Sequence, residues 1–179
     1  MITSISKRGA AEIASHEGLV LEAYLDSKNV WTWGVGVTDA SGHKIARYKD
    51  TPSTVERAIE VFEWLLNMRY VPDVLDAFEG QVLTEAQLAA ATSFHYNTGA
   101  IGRASWVKLW KAGALDRAVD SFGQWCNPPE IKARRDRERR LFFGGQWGDG
   151  FANIYPVKKP AYKPDFAKAR RVDVMALLP

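Results

Sequence analysis

Apolar positions recur along this chain at two periods, and the change between them marks its organisation. Residues 4–17 have an Ala-rich interior, Ser4 or Ser6 as a cap and Gly18 just beyond, which predicts a short helix. From about 21 to 46 the period shortens. β-Branched and aromatic residues lie between turn signals at Ser27-Lys28-Asn29 and Asp39-Ala40-Ser41-Gly42. A two- or three-stranded antiparallel sheet is expected, with Asp26 ending the first strand and Thr32 on the second. The helical period returns at Val55, Ile59, Phe62, Leu65 and Leu66, continuing to about residue 70. Thr51 and Pro52 read as its cap and first helical position, Pro72 ends or bends it, and 73–79 form a short extra turn. Thr84-x-x-Gln87 is a capping box ahead of Leu88-Ala89-Ala90-Ala91. Further helices are expected over 105–112, 115–125 and 131–143, the last opened by Pro128-Pro129.

This order is mainly helical with one small sheet, an α+β chain. Its 179 residues suffice for one cored domain. The boundary is expected near 149. Residues 150–179 hold Pro156, Pro160 and Pro164 among tyrosines and lysines. They are expected as an extended, surface-hugging tail ending in a short helix near 165–177, which clamps the core rather than touching the cell wall.

Composition narrows the functional classes. One cysteine, Cys126, forbids an internal disulfide. No stretch approaches the ~18 apolar residues of a membrane span, and the N-terminus lacks a secretory pattern. The net charge of +3 favours polyanions without choosing among nucleic acid, lipid and cell wall. His16, His43 and His95 lack metal-ligand spacing. Gly34-Val35-Gly36 lacks the third glycine and following helix of a dinucleotide site. No Gly-x-Ser-x-Gly is present, and no metal or organic cofactor is expected.

The candidate chemistry lies in one stretch. Glu17 and Asp26 are nine residues apart, and Thr32 follows six residues later. Glu17 falls at a helix C-terminus, where backbone carbonyls disfavour negative charge and partial burial would hold a proton further. Glycosidic hydrolysis needs two carboxyl groups: one protonates the leaving oxygen, the other activates water or attacks the sugar. A solvated helix-end glutamate is the competing explanation for Glu17 alone.

Glu17, Asp26, Thr32 and Gly34-Val35-Gly36, with Glu17-Gly18-Leu19 and Ala23-Tyr24 around them, resemble the phage-type lysozymes (glycoside hydrolase family 24) without a gap. Tyr96-Asn97-Thr98-Gly99 and Arg134-Arg135…Glu138…Leu141 resemble two later family elements, and the likeness fades after about 148. The resemblance implies a lysozyme-like fold, a hairpin-containing N-terminal lobe joined by a long helix to an all-helical lobe. It implies a muramidase cutting the β-1,4 bond from N-acetylmuramic acid to N-acetylglucosamine in peptidoglycan, with inversion. Glu17 is the implied acid, Asp26 the base and Thr32 the holder of the water. Thr38, Tyr96 and Ser105 are carried over as sugar contacts, and Arg134, with Arg135 second, as the arginine paired with the catalytic glutamate. One departure is Val37, where relatives place a histidine.

An endolysin of this type acts as a monomer, stays in the host bacterial cytoplasm until a holin or similar pore releases it, and then meets the periplasmic wall. Three alternatives stand beside it. A catalytically silent glycan-binding module would keep the cleft. A nucleic-acid binder would use 131–140, which reads as an exposed basic helix, although Asp136 and Glu138 interrupt it. A related hydrolase would cut chitin-like polymers.

Overall fold

A computed structural model describes residues 2–178. The fold is α+β and mainly helical. Its helices are α1 (Lys7–Glu17), α2 (Val55–Arg69), α3 (Val71–Ala77), α4 (Glu85–Thr98), α5 (Ser105–Lys111), α6 (Leu115–Gly123) and α7 (Lys132–Gly144). Strands β1 (Val20–Leu25), β2 (Trp31–Gly34) and β3 (Val37–Thr38) form an antiparallel sheet in that order.

The chain divides into two compact units. One contains residues 1–9 and 66–148, the other 10–65 and 149–179. Each is therefore assembled from separated parts of the sequence, and the division does not fall at residue 149 alone.

The first unit is built on α4 and α7. Thr84 and Gln87 close the expected capping box at the start of α4. The run Leu88–Phe94 is buried at every position, so α4 is a central helix rather than an amphipathic one. Trp106, Phe122 and Phe142 pack with Phe94 of this helix, with ring centroids 4.6–5.4 Å apart along the contacts from Phe94 and Phe142 through Trp106 to Phe122. The basic helix expected to be exposed over 131–140 is exposed on one side only, at Lys132, Arg137 and Arg140. Arg134, Arg135 and Glu138 of α7 are buried, and Glu138 is 1% exposed. Glu138 accepts hydrogen bonds from Arg134 Nε at 2.9 Å, from Arg135 Nη1 and from Ser93 Oγ. Burial works against the Arg135 charge, and Glu138 opposes that effect.

The second unit carries the three-stranded sheet. Trp33 is fully buried and stacks on Tyr48 at 3.8 Å, with His43 beyond at 5.6 Å. His43 Nε2 lies 3.1 Å from the Tyr48 hydroxyl. Burial lowers the His43 pKa, and Arg47 and Arg57 lower it further, with Asp39 opposing. Below about pH 6.5 the unfolded chain therefore binds a proton that the folded chain takes up less readily. Folding stability is expected to fall between pH 7 and 5. His43→Phe, which keeps an aromatic ring in the stack, is expected to flatten that slope in urea titrations.

Helix α2 begins at Val55, not at Thr51-Pro52. The Ser53 N–H donates to Leu21 O at 2.8 Å, holding this stretch against β1, and Thr54 Oγ1 takes the capping role by accepting from Arg57 N. The C-terminal segment also departs from the expected helix. It forms β4 (Phe151–Ile154) paired with β7 (Arg170–Asp173), and β5 (Val157–Lys158) paired with β6 (Lys163–Pro164). Only short 3-10 turns occur at Phe166–Lys168 and Met175–Leu177.

Candidate active site

Glu17 is the last residue of α1, as its sequence setting predicts. Ala fills positions 10, 11 and 14 of that helix, all buried, and Ser6 Oγ accepts from Gly9 N at its start. Gly18 ends the helix in the left-handed region at φ 78°, donating to Ala14 O at 2.8 Å. A Cβ there would lie 2.5 Å from the Tyr155 ring, so the turn that follows Glu17 is closed to other residues. Glu17 is exposed, where partial burial was expected.

Asp26 follows the end of β1, also as expected. One carboxylate oxygen, Oδ1, accepts from the N–H groups of Lys28 and Val30, both at 2.8 Å. The Asp26 N–H donates to Val30 O at 3.0 Å, and Asn29 takes a left-handed φ of 59°. This is a side-chain-closed turn of the kind aspartate favours. It commits Oδ1 and leaves Oδ2 as the atom able to take a proton from water.

Thr32 is 3% exposed, and its hydroxyl donates to Val30 O at 3.0 Å. With its proton committed, Oγ1 can only accept from a third group. Thr32 lies opposite Tyr24 on β1 and opposite Thr38 on β3. Directly paired residues share a sheet face, so Tyr24, Thr32 and Thr38 form a polar row. The intervening residues Trp31 and Trp33 take the other face, where Trp33 enters the core.

Tyr24 was not singled out from sequence. Its phenol pKa is pushed up to about 12, first by burial, then by the negative charges of Asp26 and Glu17. One hydroxyl thus feels both acids and stays protonated across the range in which they could work. Thr38 stands with this group.

The remaining candidates lie in the other unit. Tyr96 is half-buried against Tyr70, with centroids 4.9 Å apart, and Ser105 is exposed and bonded to Ser121 Oγ at 2.8 Å. Neither lines the nearby cavity of about 480 Å³, whose walls include Asn97, Gln124, Trp125 and Asn127. Arg134 donates to Glu138 and to Ser93 O. Arg135 reaches the cavity wall from behind: Nη2 donates to Asn97 Oδ1 at 2.7 Å and Nε to Trp125 O at 2.9 Å. Arg135 therefore turns the Asn97 amide so that its NH2 is the group left to donate. Asn97 stood in the sequence within Tyr96-Asn97-Thr98-Gly99, yet only its bond to Arg135 distinguishes it from Tyr96. Among the described residues no group of His, Cys, Asp and Glu could hold a metal ion, and no helix is long and apolar enough to cross a membrane.

Residues 14–139 match the family model described as phage lysozyme. The endolysin of Salmonella phage P22 is 28% identical over 145 residues, spanning 77% of this chain and 97% of that protein. A crystal structure of a P22 lysozyme point mutant superposes with a TM-score of 0.68 at 27% identity, covering 80% of this chain and all of the other. The muramidase domain of SpmX from Asticaccaulis excentricus gives 0.59 at 24% identity, over 79% of this chain and 99% of that domain, a likeness of fold.

Proposed function

This chain belongs to the phage lysozyme family, and we propose that it is an endolysin-type muramidase whose chemistry is carried by Glu17, Asp26 and Thr32. The observation behind this reading is the polar row Tyr24–Thr32–Thr38, whose tyrosine senses both carboxylates. Peptidoglycan is the proposed substrate, and the β-1,4 bond from N-acetylmuramic acid to N-acetylglucosamine the proposed point of cleavage.

Glu17 donates its proton to the glycosidic oxygen as the bond from the anomeric carbon breaks. Water forms the new bond to that carbon. One of its protons passes to Asp26 Oδ2 and the other is held by Thr32 Oγ1, whose own proton is engaged with Val30 O. A water placed by a second carboxylate gives inversion at the anomeric carbon. Proton exchange with solvent resets both acids. Tyr24 remains a neutral donor beside them. Thr38 extends the polar row toward sugar hydroxyls. Arg134, with Arg135 second, is retained as the proposed supporting arginine, its guanidinium held by Glu138 and Ser93. Tyr96 and Ser105 are retained as proposed sugar contacts. Asn97, whose amide oxygen is taken by Arg135 so that its NH2 is left to donate, suits an acetamido carbonyl.

We further propose that the enzyme acts as a monomer, resides in the host cytoplasm and depends on a holin or similar pore to reach the wall.

Digestion of purified peptidoglycan followed by mass spectrometry of the reduced products tests the bond. Fragments ending in reducing N-acetylmuramic acid are expected. Reducing N-acetylglucosamine ends would reassign the cleavage, and intact glycan would remove the hydrolase reading.

A further inference from the structure

The family match ends at residue 139, yet residues after 149 hold the stretch that carries both acids. Leu19 N–H donates to Asn153 O at 2.8 Å and Tyr155 N–H to Leu19 O at 2.9 Å. Leu25 N–H donates to Tyr162 O, immediately before Asp26. The Tyr162 ring packs edge-on against Trp31 with centroids 5.2 Å apart, immediately before Thr32, and its hydroxyl donates to Asp50 at 3.0 Å. Lys159 adds contacts to Glu22 at 2.7 Å and Asp50 at 2.6 Å.

Lys163 is placed differently from these supports. Its ammonium donates to the Asp26 carbonyl at 2.7 Å and to Asn29 Oδ1 at 2.9 Å. These are the first residue of the aspartate turn and the residue in its left-handed position. The turn's internal bonds tie the Asp26 carboxylate to Lys28 and Val30. They do not fix the turn against anything else. Lys163 supplies an external anchor at two points, Asp26 and Asn29, from strand β6, the first across 137 residues of sequence.

We propose that Lys163 is a positioning residue for the general base: it holds the Asp26–Val30 turn so that Oδ2 faces the attacking water. The proposal rests on the muramidase reading above. A displacement of about 1 Å in a reacting group can cost on the order of 100-fold in rate, so a turn that is merely loosened still affects turnover. The ammonium touches neither carboxylate oxygen, which separates anchoring from direct catalysis.

The test compares full-length wild type with Lys163→Met, Lys163→Arg and Arg171→Met on solubilised peptidoglycan, reading kcat, KM and Tm. Arg171 pairs with Asp149 in the same C-terminal segment and does not reach the turn. Lys163→Met is expected to lower kcat about 10-fold with KM within about twofold, the signature of a group that acts on the transition state. Lys163→Arg is expected to restore most of the rate, and Arg171→Met to keep it. Asn29→Gly, which retains the left-handed backbone and removes one acceptor, is expected to lower kcat about threefold. It serves even if Lys163→Met does not fold. Wild-type kcat in Lys163→Met or Asn29→Gly would overturn the proposal. So would equal losses in Arg171→Met, which would mark general support by the segment. Absence of cleavage by wild type itself would instead overturn the muramidase reading.

Discussion

Glu17→Gln is expected to lower peptidoglycan turnover at least ~100-fold while leaving the protein folded, the size of effect usual for removing a positioned general acid. The amide keeps the shape of the side chain and cannot deliver a proton to the leaving oxygen. Glu17 is exposed at the C-terminal end of α1, so the substitution leaves the buried core untouched. Tm is read alongside lysis, and comparison at equal folded concentration separates chemistry from folding. The measurement is turbidity loss of outer-membrane-permeabilised Gram-negative cells at equal folded concentration. Equal lysis by wild type and mutant would exclude Glu17 from the reaction. Wall binding without lysis by either would make the chain a silent glycan-binding module.

The largest effect on stability is expected at Glu138, far from Glu17 in sequence. Its carboxylate lies between the guanidinium groups of two buried arginines, with Ser93 as a further donor. Glu138→Gln removes the buried counter-charge that these two cations share. Breaking such an arrangement by removing one partner costs about 3–5 kcal/mol, which corresponds to a fall of roughly 10 °C in Tm for a chain of this size. Asp136→Asn on the same helix offers the contrast. Asp136 pairs with Lys132 at 2.6 Å, and Lys132 is 67% exposed, so under about 1 kcal/mol is expected. Calorimetry on the two variants decides the matter. Similar small shifts would mean that the Glu138 network rearranges or admits water. Arg135 also links this network to Asn97 and Trp125, so the Glu138 variant is expected to lose order at the cavity wall as well.

The local elements were legible where the determinants lay close together in the chain. The Thr84–Gln87 box was readable because both halves of the device lie within four residues. Glu17, Asp26 and Thr32 were readable as a group because helix end, turn and strand are consecutive. The start of α2 was misplaced because Thr51-Pro52 and Thr54 offer equally good caps. Leu21 makes the choice through Ser53, and no local pattern reveals a bond across 32 residues. Charge misled in α7. Arg134 and Arg135 read as solvated because a run of charge usually is, and Arg137 and Arg140 are indeed exposed, although Glu138 falls three and four residues after Arg135 and Arg134, the spacing of helical ion pairs. Tyr24 was missed for a similar reason: its significance comes from the Thr32 pairing and from burial beside Asp26 and Glu17, and both arise only in the folded chain. The C-terminal strands were illegible because each is short and its neighbours lie far back in sequence.

Those late strands bear on how the protein is made. The unit that holds Glu17 and Asp26 joins residues 10–65 to residues 149–179. Domains generally fold as units while a chain is being synthesised. Here the early part must wait, because the partners of Leu19, Leu25 and the Asp26 carbonyl are supplied by Asn153, Tyr162 and Lys163. Residues 66–148 can gather around α4 during that delay. A nascent chain halted before Lys163 carries Glu17, Asp26 and Thr32 without the anchor on the Asp26 turn. If Lys163 positions Asp26 as proposed, full turnover is expected only after translation has passed that lysine.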